Sequence, residues 1–220
     1  MRLSIRRILL TGIILALMLP SGAQSTDGRL VNINQDWQYL ENDIVDPAKA
    51  SQATGWEEIN LPHTWNATDA TDLAPGYRRS ASWYRKQLPV ALNPDKRYFL
   101  YFEGSNMVTE IYLNGRRVGE HTGGYVGFEI ELTALVEDGL NDLLIRVSNE
   151  YNKQLIPSNQ SDFFLFGGIT RDLWLKMVDN TFISDMNIET PSVSRKSGEA
   201  RVVVEVNGPV AKNHKIQLSV

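Results

Sequence analysis

From residue 24 onward the apolar residues recur at every second position over short runs, broken by Gly, Pro, Asn and Asp. No stretch of twelve or more residues carries a helical stripe. A period of two places alternate side chains on opposite faces of a strand, so this chain has to bury its apolar surface with sheets. Tyr98-Phe99-Leu100-Tyr101-Phe102 is a near-continuous apolar run, as expected of a strand covered on both faces. Glu110-Ile111-Tyr112-Leu113 meets Asn114-Gly115, and Arg116-Arg117-Val118-Gly119 follows. Asn-Gly between two strand-like runs predicts a tight hairpin, because both turn positions need positive φ. Phe128, Ile130 and Leu132 alternate with Glu129 and Glu131, while Leu143, Ile145 and Val147 alternate with Leu144 and Arg146. Leu173-Trp174-Leu175 closes the region. Short antiparallel strands with longer crossing loops and no helices predict an all-β jelly-roll sandwich over residues 24–178.

Residues 179–220 read as a second unit. Phe182-Ile183 leads into Met186-Asn187-Ile188, a polar loop is expected over 191–198, and Arg201-Val202-Val203-Val204-Glu205-Val206 is a strand. A turn at Asn207-Gly208-Pro209 precedes a further strand over 216–220. A sandwich of this kind needs about seven strands over ~100 residues. The expectation is therefore the truncated start of one, broken off while a strand is running.

Residues 1–23 read as a signal peptide. Arg2, Arg6 and Arg7 make a positive opening, an apolar run follows from Ile8 to Leu19, and Pro20-Ser21-Gly22-Ala23 supplies a break and small residues for cleavage. The run is about a dozen residues, short of the ~20 that cross a bilayer as a helix, so export to the periplasm or medium is expected, with no membrane association after cleavage. The net charge of −4 comes from interspersed residues of both signs, without the basic stripe a nucleic-acid partner requires. There is no cysteine, hence no disulfide framework and no thiolate metal site.

For hydrolytic chemistry the eye falls on Glu129 and Glu131. Alternate residues of one strand lie ~7 Å apart, within the range a glycosidase uses for its two carboxyl groups. Alternation with Phe128, Ile130 and Leu132 explains the same pair as the solvent face of a strand, which is the reading adopted. His63, His121 and His214 have no metal-ligand spacing. Trp65, Trp83, Tyr77 and Tyr125 have the ring chemistry to stack on a sugar, with core and loop packing as the plainer account. Gly123-Gly124 and Gly167-Gly168 lack a phosphate-loop setting and read as turns. Arg171 is expected in an ion pair, with Glu103 as the suggested partner.

Several segments, in order, resemble the amino-terminal domain of glycoside hydrolase family 2, the β-galactosidase and β-glucuronidase group. These are Asn34-Gln35-Asp36-Trp37, Trp56 followed by Leu61-Pro62-His63-Thr64-Trp65-Asn66, Ser82-Trp83-Tyr84-Arg85-Lys86, Phe102-Glu103-Gly104, Tyr112-Leu113-Asn114-Gly115, Gly119-Glu120-His121-Thr122-Gly123-Gly124-Tyr125 and Phe164-Leu165-Phe166-Gly167-Gly168-Ile169-Thr170-Arg171-Asp172. The resemblance implies a galactose-binding-like jelly roll followed by the start of an immunoglobulin-like sandwich. It also implies retaining hydrolysis of terminal β-glycosides by glutamates in a barrel domain outside this chain, so this chain has no catalytic residue. Asp162 is implied as a substrate-binding residue that reaches the pocket of the barrel. Sodium or magnesium is implied for the full enzyme, with no cofactor held by this chain. The partners implied are a β-galactoside or related carbohydrate and the catalytic barrel. A free-standing carbohydrate-binding module and a structural interaction domain stay open as alternatives, since sandwiches host all of these.

Overall fold

The computed structural model describes residues 2–9, 29–69, 71, 76–156, 164–211 and 215–217. In chain order these form β1 (Arg2–Leu9), β2 (Arg29–Asn32), β3 (Trp37–Leu40), α1 (Pro47–Gln52), β4 (Glu57–Ile59), β5 (Ala81–Val90) and β6 (Lys96–Phe102). β7 (Val108–Leu113), β8 (Arg116–Thr122), β9 (Phe128–Glu131), β10 (Gly139–Ser148), β11 (Leu173–Asp179), β12 (Phe182–Val193) and β13 (Gly198–Asn207) follow. One compact unit spans Arg29–Met177, and a second brings β1 together with the chain from Val178 on.

The first unit is a sandwich of a six-stranded sheet, β4-β3-β5-β10-β7-β8, and a four-stranded sheet, β2-β11-β6-β9. β5 and β10 make its long antiparallel pair, in register from Gly139↔Val90 to Ser148↔Ala81. Their inward faces share one core. Trp37, Tyr84, Ile111, Leu113, Leu143 and Ile145 of the larger sheet pack with Tyr98, Leu100, Phe102, Leu173 and Leu175 of the smaller. Each fully buried side chain of this size contributes roughly 1.5–3 kcal/mol relative to exposure, which lets the sandwich hold without disulfides.

The outer face of the larger sheet is covered as well. Leu144, between Leu143 and Ile145 on β10, joins Leu40, Trp83, Tyr112 and Ala50 in a second cluster. Ala50 comes from α1, the one helix among the described residues and an element that the strand reading misses. Six residues are too few to show a stripe. The signal available was Asp46-Pro47, an N-cap carboxylate that accepts from the Ala48 N–H at 2.9 Å with proline in the first turn.

The hairpin forms where the sequence puts it. Asn114 (φ 51°) and Gly115 (φ 75°) both occupy the left-handed region between β7 and β8. Asn114 also binds across the sheet, accepting from the Asp142 N–H at 2.9 Å and donating to Asn141 Oδ1 at 2.9 Å.

In the second unit β12 pairs antiparallel with β13, with Met186 opposite Val204 and Ile188 opposite Val202. The expected loop over 191–198 is shorter than read. β12 runs on to Val193, because an irregularity between Glu189 and Ser192 absorbs Pro191, which has no N–H to donate. The turn is left to Ser194 and Ser197, joined N–H to carbonyl at 2.7 Å. Of the strand expected over 216–220, residues 216 and 217 are described and carry no strand, and 218–220 lie outside the described residues. The other edge of β13 pairs instead with β1, Arg2 opposite Glu205 and Ile5 opposite Val202. A sheet edge with open N–H and carbonyl groups recruits whatever extended segment reaches it.

Candidate functional site

Several loops of the sandwich are tied together by two buried asparagines. Asn66 donates to Asp69 Oδ2 at 2.7 Å and to the Arg78 carbonyl at 2.9 Å, and its Oδ1 accepts from the Gly167 N–H at 2.7 Å. Asn149 donates to the Leu165 carbonyl at 2.9 Å and to Asn66 Oδ1 at 3.3 Å, and accepts from the Ser80 N–H at 3.0 Å. Two amides thereby fix the loop ahead of β5, the end of β10 and the stretch that leads to β11. Glycine is required where these meet: a Cβ on Gly167 would overlap the Trp65 indole, and one on Gly168 (φ 127°) would overlap the His63 carbonyl.

Behind this junction His63 Nδ1 and the Tyr84 hydroxyl are 2.9 Å apart. Burial raises the Tyr84 pKa far above its ordinary value, even though its oxygen accepts from the Ile169 N–H. Burial likewise lowers the pKa of His63, with Glu57 pulling the other way. A neutral His63 accepting the one hydroxyl proton of Tyr84 satisfies both groups.

Outward from the junction lies an aromatic cluster. The Tyr77 and Phe164 rings meet edge-on with centroids 4.9 Å apart, and Phe166 follows at 6.1 Å from Phe164. The Arg79 guanidinium lies 5.2 Å from the Tyr77 centroid and 5.8 Å from that of Tyr151. Phe164, Phe166, Tyr151 and Tyr125 are 37%, 39%, 39% and 49% exposed, far more than rings that belong to a core. Burial raises the Tyr125 pKa, and nearby Tyr77 raises it further. Exposed rings beside a fixed cation suit a ligand with both apolar C–H faces and polar groups.

The sequence profile described as glycosyl hydrolases family 2, sugar binding domain, matches residues 28–178. The chain belongs to glycoside hydrolase family 2. It is 50% identical over 187 residues to a Formosa agariphila protein provisionally named a β-glucuronidase, a match covering 84% of this chain and 23% of that protein. It is 32% identical over 196 residues to a β-galactosidase of Thermoanaerobacter pseudethanolicus, covering 85% of this chain and 26% of that enzyme. Among solved structures, Bacteroides uniformis β-glucuronidase 2, bound covalently to cyclophellitol-6-carboxylate aziridine, superposes with a TM-score of 0.71 at 33% identity. That superposition covers 80% of this chain and 22% of the other. The chain thus matches about a quarter or less of the length of these family 2 proteins.

Within the family 2 domain the sequence candidates separate. Glu129 and Glu131 point outward from β9, each held by its own cation: Glu129 by Lys176 at 2.6 Å and Glu131 by Arg97 at 2.7 Å. The hydrogen bond from Arg97 holds the Glu131 pKa below its usual value, the opposite of what a general acid needs. They are the solvent face of a strand. Trp83 is fully buried, its Nε1 donating to the Ile44 carbonyl at 2.8 Å, so it is a core residue. Trp65 packs under Gly167 and the Arg78 guanidinium, 5.0 Å from its ring. Tyr77 and Tyr125 are the two stacking candidates that belong to the exposed cluster.

His121 stacks on Phe128 with centroids 3.8 Å apart, and His63 serves Tyr84, so neither is arranged as a ligand. His214 lies outside the described residues. Arg171 is exposed, and the suggested pairing with Glu103 does not form. Glu103 accepts instead from the Trp174 indole N–H at 3.0 Å.

Asp162 also lies outside the described residues. Among the described residues no three His, Asp or Glu side chains gather in a way that could hold a metal ion.

Sequence reasoning missed Arg79, Tyr151, Phe164 and Phe166 as members of a cluster. The signal was present in Tyr77-Arg78-Arg79 and Phe163-Phe164-Leu165-Phe166, but only the fold brings these runs together with Tyr151.

Proposed function

We propose that this chain is the sugar-contacting, non-catalytic domain of an exported enzyme that hydrolyses terminal β-glycosides with retention. The names of its relatives suggest a β-glucuronide or β-galactoside as substrate. In this reading the two reacting glutamates lie in a barrel domain encoded outside this chain, because the best carboxylate pair here is committed to surface ion pairs. The sheet of β12 and β13 is taken as the start of an immunoglobulin-like sandwich that carries the chain onward.

The observation that carries the proposal is the run of ring contacts from half-buried Tyr77 to exposed Phe164 and Phe166, with Arg79 against Tyr77 and exposed Tyr151. Asp162 precedes Phe164 by two residues in the sequence. A carboxylate there accepts from sugar hydroxyls and is a hard oxygen ligand for sodium or magnesium in the full enzyme.

Saturation-transfer NMR of the 220-residue chain with methyl β-glycosides, run beside a chromogenic assay, tests this. The expected outcome is saturable sugar binding, about tenfold weaker in Phe164→Ala, with no chromogen released. Release of chromogen that is lost on Glu129→Gln would reverse the assignment of roles. Absence of any sugar contact would leave a structural interaction domain.

Export rests on residues 1–23. Cleavage after Ala23 would also remove β1 and leave β12 paired with β13 in the second unit. Sequencing the amino terminus of the protein secreted by its own host should begin at Gln24. A terminus at Met1 would refute the signal peptide.

A further inference from the structure

Two Asn-Gly steps occur in the chain, Asn114-Gly115 and Asn207-Gly208, and the fold treats them in opposite ways. Such a step carries a reaction of its own. The backbone nitrogen of the glycine, which no side chain shields, attacks Cγ of the asparagine. The bond from Cγ to the side-chain nitrogen breaks, and ammonia leaves with the proton from the glycine nitrogen. Water then opens the succinimide ring at either carbonyl, giving aspartate or isoaspartate. One water is taken up and one ammonia released, with no other reactant. The requirement is geometric, because the side-chain amide has to turn its carbon onto the next backbone nitrogen.

Asn114 cannot make that rotation without breaking what holds it. Its Oδ1 accepts from the Asp142 N–H at 2.9 Å, and its Nδ2 donates to Asn141 Oδ1 at 2.9 Å and to the Leu135 carbonyl at 3.2 Å. Both ends of the amide are thus tied across the sheet. Its own N–H donates to the Asp142 carbonyl at 2.9 Å, and its backbone is set at φ 51° within the two-residue turn between β7 and β8.

Asn207 is placed otherwise. It is exposed, it is the last residue of β13, and its pairing with Phe182 is the end pair of the β12–β13 ladder. End pairs are where a ladder opens first. Gly208 follows outside the strand, exposed and at φ 105°. A Cβ at Gly208 would overlap the Asn180 carbonyl, so the fold demands a glycine directly after this asparagine.

We propose that Asn207 is a site of spontaneous deamidation and isoaspartate formation, from which Asn114 is protected by its hydrogen bonds. Isoaspartate carries the chain through the side-chain carbon and adds a methylene to the backbone, so position 207 loses its register with Phe182. Both products also place a carboxylate at this end of the sheet. The reaction therefore loosens the second unit with age and leaves the β7–β8 hairpin as it was.

Peptide mapping by mass spectrometry of the 220-residue chain, incubated at pH 8.5 and sampled over days, tests this. In guanidinium chloride, where neither site is held, the two asparagines should convert at similar rates. In the folded chain Asn207 should keep most of that rate, while Asn114 should fall by about tenfold or more, since three hydrogen bonds must open before attack. Asn207→Gln, whose longer side chain disfavours the ring, should remove most of the early ammonia release. Near-ultraviolet circular dichroism matched to the parent confirms that this variant keeps the sandwich. Equal rates at the two sites in the folded chain, a slower rate at Asn207 than at Asn114, or early ammonia release unchanged in Asn207→Gln overturns the proposal.

Discussion

At the residue scale the fold depends on polar groups that cannot be replaced by their apolar equivalents. Asn66 satisfies two carbonyl or carboxylate acceptors and two donors in a place with no solvent access. Asn66→Ala should lower unfolding free energy by about 1–3 kcal/mol, read from urea denaturation, and should weaken sugar binding because the Leu165–Gly167 stretch leads into the aromatic cluster. His63 sets a pH dependence of definite sign. Burial lowers its folded pKa, so as pH falls below ~6.5 the unfolded chain takes up the proton first and stability declines. His121 acts in the same direction, since burial lowers its pKa too. The urea midpoint should therefore be lower at pH 5.5 than at pH 7.5, and His63→Gln should shrink that difference. An identical difference in the variant would remove His63 from the account. His63 and Asn66 were visible in the sequence as parts of one motif. Their partners Tyr84 and Asn149 were not, because 21 and 83 residues separate them along the chain.

At the scale of elements, what the sequence made legible was whatever is encoded locally. The β7–β8 hairpin is one such case, because Asn-Gly is a local conformational demand. A Cβ on Gly115 meets nothing within 4 Å, so Gly115→Ala should cost only the backbone strain of its φ of 75°, ~1–2 kcal/mol by thermal unfolding. A loss much larger than that would mean the turn has a packing role that the structure does not show. The period-two runs of β9 and β10 were legible for the same reason, down to which face of β9 carries the glutamates. Elements that depend on a distant surface were not. α1 exists because the outer face of the larger sheet, with Trp83, Tyr112 and Leu144, needs a cover. Residues 2–9, part of the segment read as an export signal, pair along the edge of β13, a partner about 200 residues away that no local pattern announces. Asp46→Ala should loosen α1 by about 1 kcal/mol through loss of its cap, with the change seen in amide exchange of residues 47–52 rather than in the sandwich core.

At the scale of the whole molecule, the division of labour follows from where charge and ring surface are placed. Glu129 and Glu131 are paired with Lys176 and Arg97 at the surface, while Arg79 and several partly exposed rings lie together elsewhere on the sandwich. The sequence showed the family and the sandwich, since ordered motifs and alternation survive without three-dimensional information. It could not show the cluster, whose members come from the loop before β5, the end of β10 and the approach to β11. The most direct measurement of whether this face contacts sugar is a titration of the chain with methyl β-D-glucuronide, followed through the ring-proton resonances of its aromatic residues. Saturable shifts are expected at Tyr77, Tyr151, Phe164 and Phe166, with the buried rings of Trp83, Tyr84 and Phe102 unmoved. Shifts confined to the β9 face around Phe128, or no saturable shift at any ring, would contradict a sugar-contacting role for this surface.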